Sequence, residues 1–140
     1  MAAAACSTAP SVDGIPLDGT SWVVVNVAGQ TPVLGREPNL TFGDGALSVW
    51  FGCNGGGAQR VEISGSTIKV RELLSTAMAC SGPADVDPLD NPIMRIEDAL
   101  RQALFGANHI AMREGELVIS GSGGDVVFRR LQPGESLGHL

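Results

Sequence analysis

The chain has 140 residues, of which 44% are hydrophobic and 17% are charged, and its formal net charge is −6. This length is enough for one domain with a hydrophobic core, and a disordered chain would be more charged and less apolar. Nucleic acids bind cationic surfaces, so the acidic balance argues against a nucleic-acid partner. No apolar run approaches the roughly 20 residues that a membrane-spanning helix needs. We expect a single folded domain, and we expect it to be a monomer.

The two ends of the chain have the composition of flexible segments. Residues 1–17 are small, polar or proline and show no periodicity, which predicts a tether before an ordered domain over residues 18–131. Residues 132–140 are predicted to be a disordered tail. Within the tether, Ala3-Ala4-Ala5-Cys6 is similar to the end of a bacterial lipoprotein signal, where small residues precede the modified cysteine. Cys6 would then carry a lipid anchor, the expected route of any membrane contact. The alternative is an alanine-rich tail that happens to hold a cysteine.

Beyond the tether, runs of β-branched and alternating apolar residues are separated by turns rich in glycine, aspartate and serine, which predicts a series of β-strands. The predicted strands are residues 21–27, 39–42, 46–51, 60–63, 67–70, 109–112, 116–119 and 125–131. Residues 52–58 are expected to interrupt the sheet. Residues 73–80 fit either a further strand or a close-packed segment.

One helix is predicted between the strands. Asp87-Pro88 and Asn91-Pro92 each offer a capping residue followed by a proline, which suits the first helical position. Apolar residues then recur at helical spacing up to Phe105, before Gly106. These are Ile93, Ile96, Leu100, Ala103 and Leu104. Glu97 and Arg101 are expected on the opposite side, as a pair four residues apart. Together the elements predict an α+β fold, in which a strongly curved, barrel-like antiparallel sheet carries one amphipathic helix.

Two segments stand out from this background: Phe51-Gly52-Cys53-Asn54-Gly55-Gly56-Gly57 and Thr76-Ala77-Met78-Ala79-Cys80. A phosphate-binding loop would need a lysine and a following helix, whereas the first segment has no lysine and lies between strands. Its glycines are better explained by a sharp bend or by close approach to another strand.

Catalytic and metal chemistry have little support. Ser75, Thr76 and Cys80 lack an evident base. With two cysteines and only His109 and His139, a zinc ligand set is not available. The acids Asp85, Asp87 and Asp90 are explained by their position near the helix start. We therefore assign no catalytic, cofactor or metal residue. A small enzyme with a site near Asn54, Thr76 and Asp85–Asp90 is kept as the alternative.

The two distinctive segments, with Leu17-Asp18-Gly19-Thr20-Ser21-Trp22 and Leu117-Val118-Ile119, resemble the META domain, also called the HslJ-like heat-shock family. The resemblance covers residues 17–131. It implies a curved sheet with one helix, and an envelope lipoprotein associated with heat shock and drug tolerance that has no accepted catalytic reaction. The fold it implies is also similar to that of a lipid-binding secretion pilotin.

The resemblance places Cys53 and Cys80 near one another. A disulfide between them would close a loop of about 28 residues and stabilise the fold by roughly 3–4 kcal/mol. Buried free thiols in a cytosolic protein, or a redox or metal site, are the other interpretations.

The expected function is that of a non-enzymatic envelope module, which binds a protein partner, a lipid or a hydrophobic ligand. Trp22, Phe42 and Trp50 lie in predicted strands and would line a ligand cavity or form part of the core.

Overall fold

The structure, a computed structural model, describes residues 11–76, 91–132 and 134–135. Within these residues there are ten strands and one helix. In chain order they are β1 Ser11–Val12, β2 Ile15–Pro16, β3 Ser21–Val27, β4 Asn39–Gly43, β5 Ala46–Trp50, β6 Gly55–Ser64, β7 Thr67–Ser75, α1 Pro92–Phe105, β8 Ala107–Arg113, β9 Glu116–Gly121 and β10 Val126–Arg130.

Eight strands form a closed antiparallel barrel in the order β10-β3-β4-β5-β6-β7-β8-β9. The long β6–β7 hairpin pairs from Gly56–Ser75 to Ser64–Thr67. The seam between β7 and β8 is short, since it rests on the Thr67–His109 pair and on a 2.8 Å bond from the Ile110 N–H to the Ser66 carbonyl. The predicted α+β fold with a barrel-like antiparallel sheet and one helix is confirmed.

Two-residue turns set the register of the hairpins. Asp44 and Gly45, between β4 and β5, have φ values of 53° and 75°, and Glu114 and Gly115, between β8 and β9, have φ values of 52° and 83°. Two successive left-handed residues give a backbone twist that matches that of the flanking strands. Both turns lie where the sequence analysis placed a break between two predicted strands.

The core lies inside the barrel and against α1. Alternation along the strands turns one set of side chains inward, and the largest fully buried residues include four aromatics. They are Trp22, Phe42, Phe51 and Phe128. The Trp22 indole N–H donates to the Thr20 hydroxyl at 2.8 Å, and that hydroxyl donates to the Leu17 carbonyl. These two hydrogen bonds give a structural reason for the spacing of Leu17, Thr20 and Trp22.

Of the two helix starts that the sequence offered, α1 begins at the second, Asn91-Pro92, and it ends before Gly106 as predicted. The other, Asp87-Pro88, lies outside the described residues. The Asn91 side chain accepts the Ile93 N–H at 2.9 Å, Pro92 opens α1, and Gly106 follows its last residue. One expectation was wrong: Glu97 does not lie on the opposite side of the helix from the apolar stripe. Its side chain is fully buried together with Ile96 and Leu100, because the Gly-Cys-Asn turn supplies donors for a carboxylate at this position.

Both ends of the domain extend beyond the predicted boundaries. Residues 11–16, predicted as part of the tether, form the β1–β2 hairpin, and Val12 is buried in the core. The hairpin is held by apolar burial and by a 3.1 Å bond from the Met112 N–H to Asp13. In the predicted tail, Glu135 accepts both terminal nitrogens of Arg129, at 2.8 and 2.6 Å. Residues 1–10 and 136–140 lie outside the described part of the chain.

The glycine-rich segment joins the sheet earlier than predicted, since β6 begins at Gly55. A β-carbon on Gly56 would lie 2.0 Å from the Leu74 carbonyl oxygen, and one on Gly57 would lie 2.1 Å from that of Leu47. Only glycine permits such close approach of neighbouring backbones. The expectation that these glycines serve close strand approach is confirmed.

Candidate functional site

The distinctive Gly-Cys-Asn turn is held by a buried carboxylate from α1. Glu97 Oε2 accepts the backbone N–H groups of Cys53, at 3.1 Å, and Asn54, at 2.7 Å. Glu97 Oε1 accepts the Asn54 side-chain amide and Arg101 Nη2, the latter at 3.3 Å. Successive backbone N–H groups in a turn form a concavity that binds anions. Both oxygens of Glu97 are engaged by the protein itself, so this group fixes the turn.

The turn is linked in the same way to the end of β7. The Thr76 hydroxyl donates to Asn54 Oδ1 at 2.8 Å, and the Thr76 N–H donates to the Gly55 carbonyl at 3.0 Å. Asn54 is 1% exposed, whereas Thr76 is at the surface. A chain of hydrogen bonds therefore runs from the buried Glu97 through Asn54 to the surface at Thr76.

Arg101, on α1, links Glu97 to the end of β7. Its Nε donates to the Ser75 hydroxyl at 3.2 Å, and its guanidinium carbon lies 5.3 Å from the centre of the Phe51 ring. Its Nη1 lies 3.6 Å from Asp98. The positive charge of Arg101 is thus balanced by two carboxylates of its own helix.

A surface depression of about 500 Å³ adjoins this network and is here named the β5–β7 groove. It is lined by residues 46–47, 55–59 and 74–76. No charged side chain is among these residues, and three glycines leave part of the lining to the backbone. Leu74 is 65% exposed there, although it is a large apolar residue. The groove can therefore accept an apolar group beside the hydroxyl of Thr76.

A second depression of about 400 Å³ lies between Leu73, the end of α1 and the turn after β9. Its lining includes Phe105, which is 81% exposed, and the guanidinium of Arg101.

The residues that the sequence suggested for a ligand cavity lie in the core or beside the turn. Trp22 and Phe42 are buried in the core, and Trp50 is half-buried next to the turn. These three residues do not line the β5–β7 groove. Their assignment to a ligand cavity stays a prediction.

Of the alternative enzyme site, Asn54 and Thr76 are brought into contact, whereas Asp85, Asp87 and Asp90 lie outside the described residues. His109 is exposed on β8 and His139 is outside the described residues. The described part of the chain holds no group of three or more His, Cys, Asp or Glu side chains that could bind a metal ion.

Cys53 is buried in the turn. Cys6 and Cys80 lie outside the described residues, so the Cys53–Cys80 disulfide and the lipidation of Cys6 stay predictions.

Displaced pKa values occur away from the groove. A hydrogen bond from Arg71 lowers the pKa of the Glu62 carboxyl, and the Arg129 guanidinium, with the Gln132 N–H, lowers the pKa of Glu135 to about 2. Glu62 with Arg71 and Glu135 with Arg129 form ion pairs at the surface, each between neighbouring chain segments.

Glu97 is the site residue that pattern reasoning missed. It follows Ile93 by four positions and precedes Leu100 by three, so helical spacing places it on the apolar stripe. A charged residue at such a position indicates a buried partner, and the donor-rich turn at residues 52–54 was the available one.

The fold and the site define the class of protein: a small closed β-barrel whose helix α1 is fastened to a glycine-rich turn. The model of the META domain matches residues 15–133, and the chain belongs to the META domain family. The META domain is not a known enzyme family.

Two solved structures are similar to this chain. One, described as an NMR structure of a protein, has a TM-score of 0.62 and 17% identity, with 81% of this chain and 90% of that chain covered. The other, an NMR structure of a protein from Burkholderia xenovorans, has a TM-score of 0.58 and 25% identity, with 81% and 83% covered. No curated protein matches the sequence. Both structures support the barrel fold.

Within the described residues, no helix has both the length and the apolar character needed to cross a bilayer.

Proposed function

We propose that this protein is a non-enzymatic binding module of the bacterial cell envelope, which holds a hydrophobic ligand in the β5–β7 groove. The observation that carries the proposal is that the described lining of the groove is uncharged and mostly apolar, with Leu74 exposed to solvent. Concave and mostly apolar surfaces are where proteins usually bind small molecules.

The size and chemistry of the groove fit a small ligand. Its volume of about 500 Å³ falls in the usual range of about 300–1,000 Å³ for small-molecule pockets. Such pockets combine apolar walls with a few fixed polar groups, and here Thr76 is the polar group that is fixed by the protein. Covering Leu74 would remove apolar surface from water and would favour binding.

The groove is a better candidate than the second depression. That depression contains Arg101, which is already bound to Glu97 and Asp98. A hydrophobic ligand there would have to desolvate this ion pair, which is costly.

Membership in the META domain family supports the envelope setting. In this proposal a lipid on Cys6 anchors the protein, a Cys53–Cys80 disulfide braces the turn, and the protein acts during stress or drug exposure. Mass spectrometry of the native protein without reduction tests the setting. A diacylglycerol on Cys6 with Cys53 joined to Cys80 is the expected result, and three free thiols with an unmodified N-terminus would contradict it.

Binding is tested by NMR titration of the isotope-labelled protein with decanol, an uncharged apolar probe. We expect saturable shifts of backbone signals within residues 55–59 and 74–76. Leu74→Asp should weaken binding at least tenfold, because a charge at the groove would have to be desolvated. Phe105→Asp makes the same change at the second depression and should leave decanol affinity unchanged. Shifts confined to the surroundings of Phe105, or no saturable shifts, would overturn the proposal.

A further inference from the structure

We infer that the β5–β7 groove selects uncharged amphiphiles whose head group carries a hydroxyl, and that Thr76 recognises the hydroxyl proton. The inference rests on the proposed function, since it specifies the ligand class of the same groove. It follows from the direction in which each hydrogen bond of the network must run.

The direction of these hydrogen bonds is set by Glu97, at the buried end of the network. The carboxylate of Glu97 accepts hydrogen bonds and faces the N–H groups of Cys53 and Asn54. The Asn54 side chain must therefore present its NH₂ group to Glu97, and its carbonyl oxygen is turned towards Thr76. A carbonyl oxygen only accepts, so the Thr76 hydroxyl is the donor in the 2.8 Å bond between them.

This leaves the Thr76 oxygen as an acceptor for a ligand. The other group within reach of its proton, the Gly55 carbonyl at 3.4 Å, is also an acceptor and uses the same proton. A hydroxyl has one proton and two lone pairs. With the proton directed into the protein, the groove is offered lone pairs, and these bind an O–H or N–H group of a ligand.

The neighbouring polar groups do not supply an equally fixed alternative. The Ser75 hydroxyl accepts from Arg101 Nε at 3.2 Å, on the side of α1. Gln59 is exposed, and its carboxamide can turn to donate or to accept. Thr76 is therefore the group whose polarity is set by the fold.

Charge argues for a neutral head group. Among the described residues that line the groove there is no Lys, Arg or His side chain, and the chain has a net charge of −6. A carboxylate would bring its lone pairs against those of Thr76 without a compensating cation. The O–H group of an alcohol can donate to the Thr76 oxygen, and the alkyl chain of the alcohol can cover Leu74.

The test compares three probes of equal chain length: decanol, decyl methyl ether and decanoate. The wild-type protein should bind decanol roughly three- to tenfold more tightly than the ether, the range of one net hydrogen bond, and decanoate more weakly than either. Thr76→Val should bind alcohol and ether equally, whereas Thr76→Ser, which keeps the hydroxyl, should retain the preference.

Equal affinity of the wild-type protein for decanol and its ether would overturn the inference while leaving a hydrophobic groove in place. Retention of the alcohol preference by Thr76→Val would also overturn it. Absence of groove binding by any of the three probes would instead overturn the proposed function. The wild-type comparison decides the matter even where a variant folds poorly.

Discussion

The carboxylate of Glu97 accepts the backbone N–H of Asn54 at 2.7 Å, although 43 positions separate the two residues in the chain. The bond joins α1 to the turn between β5 and β6, and it is reinforced by the Cys53 N–H and the Asn54 side chain. Within the described residues, every buried side-chain nitrogen and oxygen has a hydrogen-bond partner. A buried network that is fully satisfied specifies one arrangement of its elements, here the seating of the helix on the barrel.

We predict that Glu97→Gln lowers the free energy of unfolding by about 2–3 kcal/mol. Glutamine keeps the shape but replaces one oxygen by an NH₂ group, which then faces N–H donors in a buried site, so donors lose their acceptor. Arg101 also loses one of the two carboxylates that neutralise its charge. Urea denaturation followed by circular dichroism measures the change.

Asp98→Asn is the matched control. Asp98 contacts the same guanidinium at 3.6 Å, but its side chain is 62% exposed, and exposed ion pairs contribute about 0–1 kcal/mol. The expected loss is therefore below about 1 kcal/mol. Equal losses for Glu97→Gln and Asp98→Asn would show that the buried network does not hold the helix.

We predict that alanine is accepted at Gly55 and rejected at Gly57. A β-carbon on Gly57 would lie 2.1 Å from the Leu47 carbonyl oxygen, and the two strands would have to separate. A β-carbon on Gly55 would lie 3.7 Å from the Trp50 ring, which is ordinary contact. Gly57→Ala should lower the unfolding free energy by more than about 2 kcal/mol, the scale of severe overpacking.

Gly55→Ala should be neutral or slightly stabilising, because alanine restricts the unfolded chain. The thermal midpoints of the two variants, measured side by side, check the prediction. Similar midpoints for both would contradict the close strand approach at Gly57.

The elements of this fold were predictable from local chemistry. The strand at residues 21–27 is β-branched and bounded by turn residues, and α1 has Asn91, Pro92 and Gly106 at its ends. Asp44-Gly45 and Glu114-Gly115 fixed two hairpins, since left-handed turn residues are recognisable in sequence. Such features depend on neighbours in the chain, which the sequence shows directly.

The candidate site was less predictable because it depends on contacts between distant segments. The pairing of Glu97 with the turn at Asn54 requires the helix to be seated on the barrel, and one charged residue within an apolar stripe does not reveal its partner. The β1–β2 hairpin was missed for a related reason. The segment of residues 11–16 is short and weakly apolar, and Val12 is buried only by packing on the rest of the domain.

We predict that the ion pair between Arg129 and Glu135 makes stability depend on pH in the acid range. The pKa of Glu135 is lowered from 4.5 to about 2 in the folded protein, chiefly by its hydrogen bond to Arg129. A carboxyl group with a lowered folded pKa stabilises the native state fully above its unfolded pKa. This contribution is lost as the pH falls from about 4.5 to about 2.

The stability difference between wild type and Glu135→Gln should therefore be constant above about pH 5 and shrink towards zero near pH 2. Urea denaturation of both proteins across this range measures it. Because both side chains are partly exposed, high salt should reduce the difference through screening. Parallel stability curves for the two proteins down to pH 2 would show that Glu135 does not hold the end of the chain against β10.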